Sequence, residues 1–257
     1  MSDPLFPKGA TLVFGATGGI GRVVAREFGK AGSDVAIMYN SKEDVSKKVA
    51  AEIESCGQHA SVHQCDVTNA DAVKNAINAA IETHGRIHTM VWGAGPLVEQ
   101  VHIGESSFEQ WKNAIDIEVH GFYHTSKHLI GHMRDQGGGS FVHLGSAGEV
   151  SFPPKDVLSV APKAANESLI KGIAREEGVH NIRANSVLVG VIEAGMFLEL
   201  TRQGVFTEEW VEEVQKNLAL KRWGQPEEIA SAAIFLASNK AAYITGQQIN
   251  VSGGYGL

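Results

Sequence analysis

Short runs of apolar and β-branched residues alternate with helix-forming stretches along the whole chain. The first run, 11–14, is followed by a helical stretch that ends at Gly32, and then by a second apolar run, 34–39. Strands separated by helices of this length pair in parallel, because each helix carries the chain back across the sheet. The alternation therefore predicts an α/β fold, with helices on both faces of a doubly wound parallel sheet.

The composition fits a single domain and argues against other classes of protein. A chain of 257 residues with 43% hydrophobic residues suits one α/β unit, so we expect one domain over 1–257. Apolar runs stop short of the ~18 residues of a membrane span, and no signal-peptide pattern opens the chain. The net charge of −7 is spread without blocks, which indicates neither nucleic acid nor membrane as a partner. Cys56 and Cys65 lack metal-ligand spacing, and we expect reduced thiols in a cytoplasmic protein.

A glycine-rich turn, Gly15-Ala-Thr-Gly-Gly-Ile-Gly21, follows the first strand directly and opens the first helix. Glycines here allow a tight turn and a close approach of the backbone to a pyrophosphate, which the N–H groups at the helix N-terminus attract. The turn predicts a Rossmann-type dinucleotide site that includes Gly15, Thr17, Gly19, Ile20 and Gly21. The alternative is a glycine turn that binds no ligand.

The segment from about 194 to 220 is helical in its apolar period and follows the C-terminal end of a predicted strand. Open α/β sheets bind their ligands at that edge. We interpret the segment as a lid over an apolar pocket, with a packing or oligomer-contact hairpin as the alternative. Its apolar residues are Met196, Phe197, Leu200, Val205, Phe206 and Trp210.

Several motifs together resemble the short-chain dehydrogenase/reductase family, over essentially the whole chain. The spacing Gly15-x-x-x-Gly19-x-Gly21 is of the family type, and Ser146 and Lys163 stand at the spacing of the family's catalytic serine and lysine. Three C-terminal stretches also follow the family pattern, namely residues 222–229, 235–238 and 243–247. The resemblance implies an oxidoreductase that uses a nicotinamide cofactor on a small-molecule substrate. It also suggests a homo-oligomer, either a tetramer or a dimer.

The resemblance implies further cofactor contacts beyond the glycine turn. Family members contact adenine, ribose and nicotinamide through positions that correspond here to Asp66, Val67, Ala94, Gly95, Lys163 and Ile192. The chain departs from the pattern where Trp92-Gly93 replaces a pair of asparagines. It also departs near the nicotinamide, where Val189 and Ala194 replace a proline and a threonine.

The end of the second strand indicates which cofactor is bound. NAD-binding proteins usually place a carboxylate there for the ribose 2′-hydroxyl. This chain has Asn40, Ser41 and Lys42, with no acid before Glu43. Because a carboxylate would repel a 2′-phosphate and these side chains could donate to it, we predict NADP(H), with NAD as the alternative. Asn40 and Ser41 are the predicted contacts.

Two catalytic positions differ from the family. The family's tyrosine, four residues before the lysine, transfers the proton at the substrate oxygen, and Ser159 stands in its place. Glu118 occupies the place of the family's asparagine and is expected to pair with Lys163. A phenol has a pKa near 10 and is far more acidic than the Ser159 alcohol. Loss of a positioned proton-transfer group costs about 10²–10⁴ in rate.

Other groups could supply the proton. Asp156 lies seven residues before Lys163, where related enoyl reductases have a tyrosine, and it would serve if burial raised its pKa. We favour the alternative, a solvated loop carboxylate. Tyr123 is five residues beyond Glu118, an offset that points it elsewhere. A protonated Glu118 is the best-placed substitute, and we predict Ser146, Ser159, Lys163 and Glu118 as the catalytic set.

A row of histidines lies at four-residue spacing on the long helix predicted over about 108–133: His120, His124, His128 and His132. Adjacent members have the i,i+4 geometry of metal ligands. We favour an interface or solvated stripe over a metal site, and we predict no metal ligands.

Two functions remain open from the sequence. The first is an NADP(H)-dependent oxidoreductase acting on a small apolar carbonyl or alcohol through an atypical site. The second is a relative that keeps the fold and has left redox chemistry, either a lyase, dehydratase or isomerase or a scaffold that binds cofactor without turnover.

Overall fold

A seven-stranded parallel sheet forms the centre of the molecule, as described by a computed structural model of residues 4–257. The strand order is β3-β2-β1-β4-β5-β6-β7, which confirms the predicted doubly wound α/β class. The strands are β1 Ala10–Phe14, β2 Asp34–Tyr39, β3 Ala60–Gln64, β4 Ile87–Trp92, β5 Gly139–Ser146, β6 Ile182–Val189 and β7 Gln248–Val251.

Helices cover both faces of this sheet. They are α1 Gly21–Lys30, α2 Glu43–Glu54, α3 Ala70–His84, α4 Phe108–Ile115, α5 Gly121–Asp135, α6 Val157–Glu177, α7 Gly195–Arg202, α8 Glu208–Lys216 and α9 Pro226–Ala237. The prediction of one helix over about 108–133 is wrong in one respect, since a π-helical turn, Asp116–His120, separates α4 from α5. The segment 194–220, predicted to be helical, contains the two helices α7 and α8.

The core lies on both faces of the sheet, because the central strands are buried on both sides. Val13 of β1 packs with Phe28 and Ile37 on one face. Phe14 of the same strand packs with Trp92 on the other face. Strands covered on both faces read as continuous apolar runs, and for this reason the sequence of β1 shows no alternation. Each such side chain contributes about 1.5–3 kcal/mol when fully buried.

The order of the strands determines where the ligand-binding crevice lies. The chain passes from β1 outward to β2 and β3 and then returns to β4 on the other side of β1. Ligands of such sheets bind outside the carboxyl ends of the strands at this reversal. The glycine turn after β1 and the stretch 92–95 at the end of β4 therefore meet at one edge. Over residues 4–257, no helix is long and apolar enough to span a bilayer.

Candidate active site and nucleotide cleft

The glycine turn after β1 is packed directly against the backbone that follows β4. Gly15 has a φ of +75°. A Cβ atom at Gly15 would lie 2.5 Å from the carbonyl carbon of Gly93 and 2.8 Å from the nitrogen of Ala94. The N–H of Gly18 donates to the Gly15 carbonyl at 2.9 Å and closes the turn. Only glycine fits position 15, on grounds of both conformation and space.

The start of α1 is suited to an anion. Its N-cap residue, Ile20, provides no side-chain acceptor to the first N–H groups of the helix, and the first turn contains no acidic residue. Helix N-termini of this kind bind phosphate groups. The turn, with Thr17 beside it, therefore fits the pyrophosphate of a dinucleotide.

The segment that begins α7 lies against the same turn. A Cβ atom at Gly19 would be 2.5 Å from the Cα of Gly195 and 3.2 Å from the carbonyl carbon of Ala194. Gly195 itself has a left-handed φ of +52°. Ile192, a predicted cofactor contact, is buried two residues before Ala194. The fold thus brings the predicted nicotinamide segment next to the predicted pyrophosphate turn.

The end of β2 presents Asn40, Ser41 and Lys42 to solvent. The Gln64 side chain donates to the Asn40 carbonyl at 2.9 Å and holds this end of the strand next to β3. The carboxylate of Glu199 on α7 is influenced by the charge of Lys42, which the sequence did not indicate. The pKa of Glu199 on α7 is lowered, mainly by hydrogen bonds from neighbouring side chains and to a smaller extent by the charge of Lys42.

The same helix carries an arginine that pairs with Glu199. Arg202 donates to Glu199 through Nε at 3.0 Å. Because α7 and β2 are far apart in sequence, no local signal around β2 could have indicated the charges on α7.

Asp66 and Val67 follow β3, at the predicted adenine end of the cleft. Asp66 is exposed, and one of its oxygens accepts from the Thr68 N–H at 2.9 Å and from the Thr68 hydroxyl at 2.7 Å. Val67 lies against the start of α5, where a Cβ at Gly121 would be 3.0 Å from the Val67 Cβ.

Trp92 is a core residue. It is fully buried and packs against Phe14 and Phe122, with ring centroids 5.0 Å and 5.7 Å away. A Cβ at Gly121 would be 2.9 Å from the indole, so the absence of a side chain there makes room for the ring. Among residues 4–257, the indole N–H finds no acceptor.

Lys163 and Glu118, two members of the predicted catalytic set, form an ion pair. The Glu118 side chain is 1% exposed and that of Lys163 is 19% exposed. A Cβ at Gly95 would overlap Glu118 Oε1 and lie 3.6 Å from Lys163 Nζ, so Gly95 leaves the space that this pair occupies. The other Glu118 oxygen, Oε2, is buried without a partner in the described part of the chain. The pairing predicted from sequence is present.

The π-helical turn explains how Glu118 reaches this position. Such a turn, common at functional sites, inserts an extra residue into a helix and shifts the side chains that follow. Asn166 of α6 donates to the backbone carbonyl of Glu118 at 3.0 Å and fixes the turn from the neighbouring helix. Asn166 is fully buried, and sequence reasoning missed it, because its partner is backbone far away in sequence.

The two predicted serines lie on different elements. Ser146 ends β5, and its hydroxyl accepts from the Gly148 N–H at 3.1 Å. Ser159 lies in the first turn of α6, one helical turn before Lys163, and both are partly buried. Residues four apart share a helical face, so Ser159 and Lys163 are presented together.

Asp156 is not the solvated loop carboxylate that we favoured from the sequence. It is partly buried immediately before α6, and Gln100 donates to its Oδ1 at 3.1 Å. Burial raises the pKa of Asp156, while Gln100 and the charge of Lys163 act in the opposite direction. The expectation was wrong because the long 93–107 loop covers this residue, and it now counts among the candidate acids.

A buried polar cluster lies beneath Ser146, and the sequence analysis did not single it out. The ring Nδ1 of His143 is 2.7 Å from Glu167 Oε1. Glu149 lies beside them, since a Cβ at Gly145 would be 2.7 Å from Glu167 Oε1 and 3.5 Å from Glu149 Oε1. Burial, followed by the nearby charge of Glu167, raises the pKa of Glu149 to about 7. The only sequence signal was spacing, because Glu167 follows Lys163 by one helical turn.

The raised pKa of Glu149 predicts a pH-dependent stability. Its pKa in the folded state, about 7, lies above the ordinary value of 4.5. The folded protein therefore holds this proton more tightly than the unfolded chain, and stability falls as the pH rises from about 4.5 through about 7.

We expect Glu149→Gln, which stays neutral, to raise Tm at pH 8 relative to the natural chain and to change it little at pH 4. Thermal melts between these pH values measure the effect, with exposed Glu54→Gln as the control. A Tm difference that is the same at both pH values would contradict the assignment.

Three of the four histidines of the predicted row have separate partners rather than a common role. His120 Nδ1 is 3.0 Å from Asp116 Oδ1, and His124 Nδ1 is 3.4 Å from the Val67 carbonyl oxygen. His132 Nε2 accepts from the N–H of Ile87 at 3.0 Å, at the start of β4. His132 therefore caps a strand, which neither the interface nor the metal interpretation predicted.

The segment 194–220 packs on itself through aromatic rings. Phe206 and Trp210 stack with centroids 3.8 Å apart, and Phe197 lies 5.9 Å from Phe206. Trp223 joins the group at 5.1 Å from Phe197. We call these four residues the aromatic cluster. It holds α7 and α8 together over the carboxyl edge of the sheet, at the N-terminus of α1.

The doubly wound sheet, with a glycine turn at the reversal of strand order, defines the class of Rossmann-type proteins. The family model described as enoyl-(acyl carrier protein) reductase matches residues 15–256. A 3-oxoacyl-(acyl-carrier-protein) reductase FabG of Staphylococcus epidermidis is 30% identical over 245 residues, covering 95% of this chain and 98% of the relative. An L-rhamnose 1-dehydrogenase (NAD(P)(+)) of Sphingomonas sp. is 32% identical over 244 residues, 95% of this chain and 94% of the relative.

Solved structures show the same similarity. A short-chain type dehydrogenase/reductase from Mycobacterium ulcerans superposes with a TM-score of 0.90 at 30% identity, covering 97% of this chain and 90% of that one. A 7α-hydroxysteroid dehydrogenase complexed with NADH and 7-oxo glycochenodeoxycholic acid superposes with a TM-score of 0.89 at 27% identity. The match covers 98% of this chain and 96% of that one. The chain belongs to the short-chain dehydrogenase/reductase family of oxidoreductases, as its motifs indicated.

Proposed function

We propose that this chain is an NADP(H)-dependent oxidoreductase that acts on a small apolar carbonyl or alcohol. The observation that carries the proposal is the intact cradle after β1, where Gly15 packs on the backbone of Gly93 and α1 begins without a cap. The relatives support the redox part of the proposal, since their names describe a 3-oxoacyl reductase, a sugar dehydrogenase and a steroid dehydrogenase that was solved with NADH.

Different residues of the cleft would contact different parts of the cofactor. The turn 15–21 would hold the pyrophosphate, and Asp66 and Val67 would contact the adenine. Asn40 and Ser41 would donate to the 2′-phosphate. Ala94, Gly95, Lys163 and Ile192 would line the nicotinamide end. When bound, the cofactor supplies or accepts the hydride at the substrate carbon.

The chain itself has to orient the substrate oxygen and move one proton to or from it. The Ser146 hydroxyl, at the carboxyl end of β5, would donate a hydrogen bond to that oxygen. Lys163 is held by Glu118, so its ammonium polarises other groups less than a free one would. The ion pair requires Glu118 as a carboxylate, which favours a positioning role over that of an acid. Asp156, with its raised pKa, would supply the proton through water and the Ser159 hydroxyl.

The substrate class follows from the lid. We propose that α7 and α8, held together by the aromatic cluster, cover an apolar substrate at the carboxyl edge of the sheet. Phe197 and Trp223 are partly exposed and offer apolar surface beside the cradle. Burial of such rings against a ligand contributes about 1.5–3 kcal/mol each.

We further propose a homo-oligomer, a tetramer or dimer, in the cytoplasm. Phe108 of α4 is 91% exposed and Tyr123 of α5 is 50% exposed, which is apolar surface that a second copy would cover. Cys56 and Cys65 are both unpaired, as expected in a reducing compartment.

A non-redox function is the second candidate, and the Lys163–Glu118 pair favours it. With Ser159 in place of a phenol and Lys163 neutralised, Ser146, Glu118 and Lys163 could serve a lyase, dehydratase or isomerase, or the chain could bind cofactor without turnover. The test mixes the purified protein with NADPH and a panel of 3-oxoacyl thioesters, oxosteroids and small ketones. Loss of NADPH absorbance that Ser146→Ala abolishes supports the oxidoreductase. NADPH binding with no turnover across the panel supports the second candidate.

The proposed 2′-phosphate contact gives a separate prediction. Asn40→Asp places a negative charge beside the 2′-phosphate and none beside the NADH hydroxyl. We expect it to weaken NADPH binding by about tenfold, or ~1.4 kcal/mol, and to leave NADH binding unchanged or improved. Fluorescence titration with each coenzyme measures the ratio, and the exposed Asn75→Asp on α3 supplies the same charge elsewhere. Equal effects of Asn40→Asp on the two coenzymes would remove Asn40 from the site.

A further inference from the structure

Three metal-ligating side chains converge at the edge of the sheet opposite the cleft. Asp34 begins β2, His59 precedes β3, and His84 ends α3. Each offers one ligand atom, and these atoms lie within 4.8 Å of one another. None of the three belongs to the predicted catalytic or cofactor set, which gathers at the carboxyl ends of the strands.

His84 is the residue whose surroundings point to a ligand. Its side chain is 0% exposed, and its Nδ1 is buried with no hydrogen-bond partner among residues 4–257. That atom faces Asp34 Oδ2 at 4.0 Å. A buried polar atom without a partner costs about 1–3 kcal/mol and calls for an explanation. A cation between Nδ1 and Oδ2 would provide one.

The neighbours of His84 leave Nδ1 free to act as a ligand. His84 Nε2 is 2.8 Å from Ser61 Oγ, which is itself 2.8 Å from His63 Nε2. The hydroxyl has one proton, so when it donates to His63 it accepts from His84. His84 then carries its proton on Nε2 and a lone pair on Nδ1. Metal-binding histidines characteristically donate their other ring N–H in this way.

Asp34 also has one atom available as a metal ligand. Its Oδ1 accepts from the His59 backbone N–H at 2.9 Å, which leaves Oδ2 available. The His59 ring lies against that of His84, with centroids 4.8 Å apart. Because His59 is exposed, its ring can turn toward the other two groups at little cost.

We propose that Asp34, His59 and His84 bind one divalent transition-metal cation, and specifically Zn²⁺, with water as the fourth ligand. Two imidazoles and a carboxylate match the preference of zinc, with Zn–N and Zn–O bonds of about 2.0–2.2 Å. Tetrahedral ligand atoms lie about 3.4 Å apart, so rotation of His59 and a small shift of Asp34 complete the site. The ion would tie together the start of β2, the loop before β3 and the end of α3, and its role is structural.

The test titrates Zn²⁺ into the metal-free full chain by calorimetry. We expect one equivalent bound, with a rise in Tm when zinc is present, because binding to the folded state alone stabilises it. His59→Ala should lower zinc affinity by about 100-fold, and Ser61→Ala should lower it by about 10–100-fold through loss of the His84 orientation. His59 is exposed, so its variant keeps the fold.

The control is His124→Ala/His128→Ala, which removes an i,i+4 histidine pair on α5 and should leave zinc binding unchanged. Loss of binding in this control would transfer the site to α5 and overturn the proposal. Absence of zinc binding to the natural chain, or equal affinity of the His59→Ala variant, would also overturn it. The measurement reads no redox activity, so its outcome is independent of the proposed function.

Discussion

The double variant Ser159→Tyr/Glu118→Asn is expected to reduce ketones with NADPH about 10²–10⁴ times faster than the natural chain. The tyrosine supplies a phenol one helical turn before Lys163, on the same face of α6. The asparagine releases the Lys163 ammonium from its ion pair, so that it can lower the pKa of the new phenol. NADPH consumption at saturating ketone measures the gain.

Two further variants separate the causes. Ser159→Tyr alone should increase the rate of NADPH consumption less than the double variant does, because Glu118 still pairs with Lys163. Ser168→Tyr/Glu118→Asn places the same phenol on an exposed position of the same helix and should gain nothing. If the Ser159 and Ser168 double variants had equal activity, the cleft would not present substrate to this face of α6, and the result would contradict the redox proposal.

The second large effect concerns stability. Lys163→Met should lower the free energy of unfolding by about 3–5 kcal/mol, because it leaves the Glu118 carboxylate buried without its counter-ion. Urea unfolding measures the change. Lys112→Met, which breaks an exposed ion pair with Asp116 two residues before Glu118, is the matched control and should cost about 0–1 kcal/mol.

The double variant Glu118→Gln/Lys163→Met tests the interpretation. With both charges removed, the stability should return to within about 1–2 kcal/mol of the natural chain, since replacement of a buried pair by neutral groups is often close to neutral. If the double variant were as unstable as Lys163→Met, loss of packing around the lysine stem would explain the effect, and the buried pair would not.

The parallel sheet was predictable because its signals are local. Each strand is a short apolar run, and each helix has its own period and end signals, such as Gly57 after α2. The glycine turn was predictable for the same reason, since a turn, a close approach and a helix start all fall within seven residues. The Lys163–Glu118 pair came from resemblance, which supplied a contact that local patterns do not contain.

The parts that escaped prediction depend on contacts between distant segments. The π-helical turn at Glu118 is fixed by Asn166 on another helix, and nothing near Glu118 indicates it. Asp156 was misjudged because Gln100, more than fifty residues away, covers it. The unpartnered nitrogen of His84 could not be foreseen for the same reason, since its surroundings come from β2, β3 and α3.

The most direct measurement of the central claim is a calorimetric titration of NADPH, and then of NADH, into the full chain. The cradle at Gly15 and Gly19 predicts saturable binding of one coenzyme per chain, tighter for NADPH. Lys163→Met, which leaves the glycine turn intact, should weaken this binding without abolishing it. If no heat of binding were detected with either NADPH or NADH, the account would be contradicted. The chain would then lack the ligand on which every proposed catalytic role depends.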